Sequence, residues 1–173
     1  QHDSMNTTLG KICTFENGDR GKNYPSKSKQ TSSGIPFINA GNLNRSELDF
    51  NNMAYISKST YDALGGGKIK KNDILFCLRG SLGKYATVAE LEQGAIASSL
   101  VIIRPDTDRA LLDYLLYYLE GSTCKRMIRK YENGAAQPNL SAGSLKKFEI
   151  NLPVIADQIK AVNYLNEAIK NID

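Results

Sequence analysis

The 173 residues of the chain are 41% hydrophobic and 23% charged, a composition typical of one globular domain with its own core. The longest nearly apolar run, Ala95–Ile103, is too short for a transmembrane helix, and no signal peptide opens the chain. The net charge of +4 is too small for a nucleic-acid-binding tail, and three widely spaced cysteines argue against a disulfide framework and a zinc ribbon.

The N-terminal part is predicted to alternate short strands with polar loops. Gln1–Ser4 is expected to be a frayed or non-native end, and Leu9–Phe15 is predicted to be a strand. Glu16–Gly34 is rich in Gly, Asn, Ser and Lys without hydrophobic periodicity, so it is predicted to be a long loop, of a length that is usually functional or disordered. Ile35–Ile38 is predicted to be a buried strand, followed by an Asn-rich turn at Asn39–Asn44.

Apolar segments between polar turns predict four further strands in the middle of the chain. They are Met53–Ile56, Ile74–Leu78, Tyr85–Ala89 and Ala95–Ile103. Ser57 can cap a short helix over Lys58–Leu64, and glycines bound the hairpin loop Arg79–Lys84 that joins the second and third of these strands.

After Pro105 the hydrophobic spacing changes from that of strands to that of helices. The predicted helices are Leu111–Leu119 and Ser122–Tyr131, and a last short strand is predicted at Phe148–Leu152. Asp106 or Thr107 is the expected N-cap of the first helix, and Gly121 is its expected end.

The last predicted helix, Ala156–Ile172, carries apolar residues at the spacing of a coiled-coil seam. The seam residues are Val162, Leu165, Ile169 and Ile172. Because the pattern continues to Asp173 without a cap or a glycine, it favours a longer helix, or a helix whose partner lies elsewhere. A terminal helix that packs back on its own domain is the alternative.

The motifs of several enzyme classes are missing from the sequence. Gly80–Lys84 and Gly65–Lys68 lack the spacing of a phosphate-binding loop, and no dinucleotide-binding fingerprint is present. The single histidine is His2, near a terminus, and Cys77 lies in an apolar strand where a buried thiol is expected. We therefore predict no catalytic residue and no metal site, and interpret the chain as a binding protein.

Basic residues are concentrated in two stretches that contain no acidic residue. One runs from Arg20 to Lys29, and the other from Lys125 to Lys130. Two such patches fit a surface that faces a polyanion, although two solvated faces would give the same pattern.

Eight short phrases follow one another from about Leu9 to the C-terminus. They are Leu9-Gly10-Lys11-Ile12, Gly34–Ile38, Tyr55-Ile56-Ser57, Ile69–Leu75, Arg79–Lys84, Tyr114–Leu119, Gly134–Ser141, and Leu145–Pro153 leading into Asp157-Gln158-Ile159. In this order they resemble the target recognition domain of type I restriction–modification specificity subunits.

The resemblance implies an α+β fold. It implies a mixed or antiparallel β target-recognition domain with packed helices over residues 5–153, followed over residues 154–173 by the start of a long, coiled-coil-type spacer or dimerisation helix. A full subunit of that family carries two such domains, each gripping one half of a bipartite DNA site. This chain has one, which fits half of a full subunit or a half-length form that pairs with a copy of itself.

The resemblance also implies that the chain is not an enzyme by itself. Its partners would be double-stranded DNA, an adenine methyltransferase (modification) subunit and a motor–nuclease (restriction) subunit, with self-association or a second half-subunit through the seam of the last helix. No cofactor is expected on this chain, because S-adenosylmethionine, ATP and Mg²⁺ belong to the partner subunits. A cytoplasmic location without membrane contact is expected, and the cysteine pattern also favours a reducing compartment.

Three loops form the candidate DNA-binding surface, because they carry side chains that can pair with base edges or phosphates. The long loop contributes Arg20, Lys22, Tyr24, Lys27, Lys29 and Gln30, the Asn-rich turn contributes Asn39, Asn42, Asn44 and Arg45, and the hairpin loop contributes Arg79, Ser81 and Lys84. Asn39 and Asn42 could instead brace their own turn, and Arg79 could pair with an acid inside the fold. Gln137 and Asn139 are expected to brace their loop.

A non-catalytic protein-interaction or anti-restriction-like module on the same scaffold is the alternative function. In either case the Lys125–Lys130 stretch could contact phosphates, dock a methyltransferase partner, or do neither. Salt dependence separates the two functions, because a domain that contacts several phosphates loses affinity for DNA steeply as the salt concentration rises.

Overall fold

The computed structural model describes residues 4–134 and 136–172, which divide into two compact units. Unit 1 comprises the described residues of 1–14, 105–131 and 143–173, and unit 2 comprises those of 15–104 and 132–142. Of the expected N-terminal segment Gln1–Ser4, only Ser4 is described, and Asp173 also lies outside the described residues. The division does not fall at residue 153, and the role of residues 154–173 as a spacer stays a prediction.

The described chain consists mainly of short strands before residue 106 and mainly of helices after it. The strands are β1 (Ser4–Thr8), β2 (Cys13–Asn17), β3 (Ile35–Ile38), β4 (Leu43–Asn44), β5 (Glu47–Leu48), β6 (Ala54–Ile56), β7 (Ile74–Cys77), β8 (Tyr85–Thr87), β9 (Ala95–Ile96), β10 (Leu100–Pro105) and β11 (Glu149–Pro153). The helices are α1 (Leu9–Ile12), α2 (Lys58–Ala63), α3 (Leu112–Glu120), α4 (Ser122–Tyr131), α5 (Ala142–Lys146) and α6 (Ile155–Lys170).

Unit 1 packs helices against a two-stranded sheet. Strands β1 and β11 pair antiparallel, and α3 contacts both α4 and α6. The apolar side chains that these elements bury include Leu115, Met127, Phe148 and Val162. Burial of these residues accounts for the helical spacing of the leucines and of the first part of the C-terminal seam.

Gln158 of α6 holds the start of α3. Its amide is fully buried, accepts a hydrogen bond from the Leu111 N–H at 2.9 Å, and donates to the carbonyls of Arg109 and Pro153 at 2.8 Å each. The prediction that Asp106 or Thr107 caps this helix was wrong. Asp106 accepts instead from the Asp108 N–H in a turn that precedes the helix.

Replacing Gln158 with leucine is expected to lower the free energy of unfolding by about 3 kcal/mol. Three part-buried backbone groups would lose their hydrogen-bond partner at roughly 1 kcal/mol or more each, partly offset by the apolar burial of leucine. Urea unfolding followed by circular dichroism measures the change. Asn163→Leu, at an exposed position of the same helix, is the matched control. A loss no greater than that of the control would show that water replaces the amide.

Unit 2 contains a four-stranded sheet in the order β2-β10-β7-β8 and a three-stranded sheet in the order β6-β3-β9. In the smaller sheet β3 runs antiparallel to β6 and parallel to β9, so this sheet is mixed. Successive residues of β3 serve two cores, because Phe37 packs with Ile56 on one face and Ile38 packs with Leu75 on the other. The predicted α+β fold class with a mixed sheet is confirmed.

The predicted strand Ala95–Ile103 is two strands in different sheets. Ile96 in β9 pairs with Ile38, whereas Leu100 in β10 pairs with Cys77. Between them the chain turns at Ala97–Ser99, where the Leu100 N–H donates to the Ala97 carbonyl at 3.1 Å. A continuous apolar run does not reveal this crossing, because both halves are buried.

Other predictions differ from the structure in detail. Leu9–Ile12 forms the helical turn α1 and not a strand. This turn buries Leu9 and Ile12 on one side. Helix α6 ends at Lys170. The strand at Ile35–Ile38, the Ser57 cap and the helix Ser122–Tyr131 are confirmed.

Candidate nucleic-acid interface

Two of the predicted loops meet at the turn between β9 and β10. Arg20 of the long loop and Arg79 of the hairpin loop both donate from Nη2 to the Ser98 carbonyl, at 3.0 and 2.8 Å, and Arg79 also donates to Ser98 Oγ at 3.2 Å. The Ser98 N–H donates to the Tyr24 hydroxyl at 3.3 Å. We call Arg20, Tyr24, Arg79 and the turn Ala97–Ser99 the Ser98 junction.

The Asn-rich turn starts beside the same junction. The Ile38 carbonyl, just before Asn39, accepts from the Ala97 N–H at 2.8 Å, and the Leu78 N–H, just before Arg79, donates to the Ser99 carbonyl at 2.8 Å. All three predicted loops therefore leave the framework next to one turn. Sequence reasoning missed Ser98, although the two serines inside an otherwise apolar run were a signal for it.

The structure contradicts the alternative that Arg79 pairs with an acid. The guanidinium of Arg79 binds a backbone carbonyl and a hydroxyl, both neutral. Both arginines are exposed, and only Nη2 of each contacts Ser98. Because a guanidinium carries five N–H donors, most of the donors of each side chain remain for a ligand.

Close packing fixes the root of the long loop. A Cβ on Gly18 would lie 2.8 Å from the carbonyl oxygens of both Ile96 and Ala97, so only glycine lets the loop pass this close to the end of β9. Next to it, Asp19 accepts from the N–H groups of Gly21 at 2.7 Å and Gly65 at 2.8 Å. These bonds fasten the loop at Asp19, one residue before Arg20, where its basic stretch begins.

The hydrogen bond from the Gly65 N–H, with a smaller contribution from that of Gly21, lowers the pKa of Asp19 below its ordinary value of 3.8. The bonds therefore favour the folded loop at and above pH 3.8, and their contribution is lost as the pH falls through the lower, folded pKa. We expect the Gly65 amide resonance to titrate with a midpoint below 3.8 in an NMR pH series, and Asp19→Asn to abolish this titration. A midpoint at or above 3.8 would contradict the assignment.

The hairpin loop is a tight turn built on glycines. Gly80 and Gly83 have φ angles of 87° and 84°, which side-chain-bearing residues rarely adopt. The Cys77 N–H donates to the Lys84 carbonyl at 2.8 Å, which closes the loop. Ser81 within the loop and Lys84 at its closing end are both exposed.

The segment that leads to α5 braces the hairpin loop. The Leu140 N–H donates to the Leu78 carbonyl at 2.8 Å, and the Gly80 N–H donates to the Pro138 carbonyl at 3.2 Å. Asn133 and Asn139 exchange two backbone hydrogen bonds of 2.8 and 2.7 Å. These contacts are backbone bracing, as expected for Asn139, while Ala135 of this loop lies outside the described residues.

Asn42 does not face solvent. Asn42 is only 2% exposed. Its side chain accepts from the Asn39 N–H at 3.0 Å and donates to the Asp49 carbonyl at 3.1 Å. The prediction that Asn42 contacts DNA is therefore wrong, and its side chain braces the turn. Asn39 is exposed and accepts from the Gly41 N–H at 2.8 Å, so its amide nitrogen remains for other contacts.

The remaining candidates are exposed around this framework. Asn44 and Arg45 lie at the turn of the β4–β5 hairpin, which Thr87 of β8 holds through a 2.7 Å bond to the Ser46 carbonyl. The exposed lysines of the long loop are Lys22, Lys27 and Lys29. Gln30 is half-buried, with its amide nitrogen 3.5 Å from the Pro25 carbonyl. In the described structure no hydrogen bond joins the side chains of these four long-loop residues to the Ser98 junction.

Two acidic side chains of unit 2 form ion pairs with Arg104. Arg104 makes a two-pronged ion pair with the fully buried carboxylate of Asp73, at 2.8 Å for both bonds, and contacts Glu16 at 3.3 Å. The hydrogen bond to Asp73 raises the pKa of Arg104. The charges of these carboxylates are therefore compensated inside the fold.

No thiol of the described chain is exposed at this surface. Cys13, Cys77 and Cys124 are buried, and burial raises the pKa of the Cys13 and Cys124 thiols to about 12. Among residues 4–134 and 136–172 no group of three His, Cys, Asp or Glu side chains could hold a metal ion. No helix in this part of the chain is long and apolar enough to cross a membrane.

Comparison with solved structures shows the fold. The chain superimposes on the HsdS subunit from Thermoanaerobacter tengcongensis with a TM-score of 0.73 at 21% identity, covering 96% of this chain and 37% of that one. The type I restriction-modification S subunit from M. genitalium gives a TM-score of 0.64 at 19% identity, covering 96% and 39%. A chain from a structural study of the assembly and conformational transition of a type I R-M system gives 0.75 at 19% identity, covering 96% and 38%.

Comparison of sequences shows the family. The chain is 26% identical over 140 residues to the type I restriction enzyme EcoBI specificity subunit of Escherichia coli, an alignment of 81% of this chain and 30% of that protein. The chain thus spans about a third of the length of these relatives. The family model of the type I restriction modification DNA specificity domain matches residues 1–173. On this match over its whole length, the chain belongs to the family of type I restriction modification DNA specificity domains.

Proposed function

We propose that this chain is the recognition domain of a type I specificity subunit and reads one half of a bipartite site in double-stranded DNA. The observation that carries the proposal is the Ser98 junction, where Arg20 and Tyr24 of the long loop and Arg79 of the hairpin loop are held on one turn. The Nε and Nη1 donors of each guanidinium are left for a ligand, and guanine offers its N7 and O6 as acceptors for such donors. The exposed Asn39, Asn44 and Arg45 extend the surface, and so do Ser81 and Lys84 of the hairpin loop.

In this proposal the chain supplies recognition and partners supply the chemistry. A methyltransferase subunit with S-adenosylmethionine would modify the adenine, and a motor–nuclease subunit with ATP and Mg²⁺ would restrict unmodified DNA. The complex would act in the cytoplasm. Support for these partners comes from membership of the family.

The end of α6 is proposed as the assembly helix. Val162 is buried within unit 1, so the first part of the seam packs back on its own unit and Leu165 is half-buried. Ile169 and Ile172 are 55% and 76% exposed, which leaves the second part of the seam for a copy of the chain or a second half-subunit.

Selection from a library of randomised DNA duplexes tests the recognition proposal. The 173-residue chain is expected to enrich one short fixed motif, and its affinity for the enriched duplex is expected to fall steeply as the salt concentration rises. Failure to enrich any motif, with binding that ignores salt, would favour a protein-interaction module.

A further inference from the structure

Helix α4 carries a row of four exposed cations. Lys125, Arg126, Arg129 and Lys130 all face solvent, whereas Cys124 and Met127 of the same helix are buried. None of the four cations forms an ion pair among the described residues. They equal the whole net charge of the chain, +4, so the rest of the molecule is neutral overall.

The stability of the helix does not explain this row. Lys125 with Arg129, and Arg126 with Lys130, are like charges four residues apart, an arrangement that destabilises a helix. Arg129 and Lys130 lie in the last turn, where the helix dipole favours positive charge, but Lys125 and Arg126 lie before it. A bound polyanion would relieve the repulsion of all four side chains.

The surroundings of the row favour phosphates over a protein partner. The exposed face of α4 consists of Ser122 and the four cations, and it presents no exposed apolar side chain. The centres of protein–protein interfaces are enriched in aromatic side chains and depleted of lysine. Phosphate contacts need only cations, and they position a duplex without reading its sequence.

We propose that α4 binds the phosphate backbone of double-stranded DNA independently of sequence. This inference rests on the proposed function, and it adds to the Ser98 junction of unit 2 a separate contact surface in unit 1. From Lys125 to Lys130 the helix rises about 7.5 Å, which is enough to follow about two phosphates of one strand.

The slope of DNA affinity against salt measures this contact. The probes are the duplex enriched by the wild-type chain and a scrambled duplex of the same composition, each titrated with the full chain over a range of KCl concentrations. Arg126→Gln with Arg129→Gln is expected to make the slope of log K against log [KCl] shallower by about 2, or roughly 0.9 for each lost phosphate contact. Affinity for both duplexes should fall by the same factor, so their ratio is unchanged.

A variant with the same charge change on another helix is the control. Lys160→Gln with Lys170→Gln removes two exposed cations of α6, and it should leave the slope close to that of the wild type. Glutamine has a high helix propensity, and Lys125→Gln with Lys130→Gln is a second pair of substitutions should the first fail to fold.

Each other outcome overturns the inference. A slope equal to that of the wild type in both α4 variants would show that the row does not contact DNA. An equal change of slope in the α6 control would show that only the net charge of the chain matters. A changed ratio between the duplexes would make the contact sequence-specific. If the wild-type chain enriches no motif, the proposed function fails, while the slope on the scrambled duplex still decides the role of α4.

Discussion

Asp73→Ala is expected to lower the free energy of unfolding by about 3 kcal/mol, at the lower end of the range for breaking a buried ion pair. The Asp73 carboxylate has no exposed surface, binds Arg104 through both oxygens, and accepts from the Lys70 N–H at 2.7 Å. Its loss leaves the guanidinium of Arg104 with Glu16 and with the Lys68 carbonyl, to which it donates at 3.4 Å. The lower end of the range applies because Arg104 is one-quarter exposed, so water can partly replace the lost carboxylate.

Urea unfolding of the wild-type chain and of Asp73→Ala measures this difference in unfolding free energy directly. Asp62→Ala is the matched control, since Asp62 forms an ion pair with Lys58 that is exposed on both sides, and its loss should cost under about 1 kcal/mol. Equal effects of the two substitutions would mean that the Arg104 pair contributes no more than a surface pair. Because Arg104 lies in β10 and Glu16 in β2, the Asp73 variant should also loosen the root of the long loop.

Arg79→Ala is expected to weaken binding to the enriched duplex by about 10- to 100-fold, the loss of a charge-assisted hydrogen bond to a base at roughly 1.5–3 kcal/mol. The scrambled duplex should lose less, because it offers no matching base. Arg79→Lys should not restore the affinity, since an ammonium group cannot reproduce the fork of a guanidinium. Fluorescence titration of both duplexes measures the two affinities.

Lys71→Ala, which removes an exposed cation outside the three loops, is the control for charge. An equal loss on both duplexes would assign Arg79 to a phosphate, and no loss would remove the Ser98 junction from the interface. Arg20→Ala repeats the test from the other loop. Urea unfolding of each variant separates a loss of contact from a loss of fold.

Local sequence patterns predicted the elements whose causes are local. Strand β3 follows from a short apolar run between turns, and the Ser57 cap follows from a hydroxyl placed before a helix. The hydrogen bond that holds the start of α3 could not be predicted, because the group that accepts from the Leu111 N–H belongs to Gln158, 47 residues away. The division of Ala95–Ile103 between two sheets has the same origin, since it depends on which strands β9 and β10 find as partners.

The candidate site was predictable in composition but not in arrangement. Charge and turn chemistry selected the three loops, but the meeting of Arg20 with Arg79 depends on a residue 78 positions from the first and 19 from the second. For Asn42 the sequence predicted a DNA contact that the structure contradicts. Its amide suits adenine as well as it suits a turn, and only its burial decides between the two roles.

The Ser98 junction is held mainly by main-chain atoms. Both guanidinium groups bind the carbonyl at position 98, and the Tyr24 hydroxyl binds the N–H there. Every amino acid except proline offers the same two groups, so exchanging the side chain at this position leaves the anchors in place. Retargeting by directed evolution can therefore randomise residue 98 together with the exposed loop tips, while the scaffold that presents them stays unaltered.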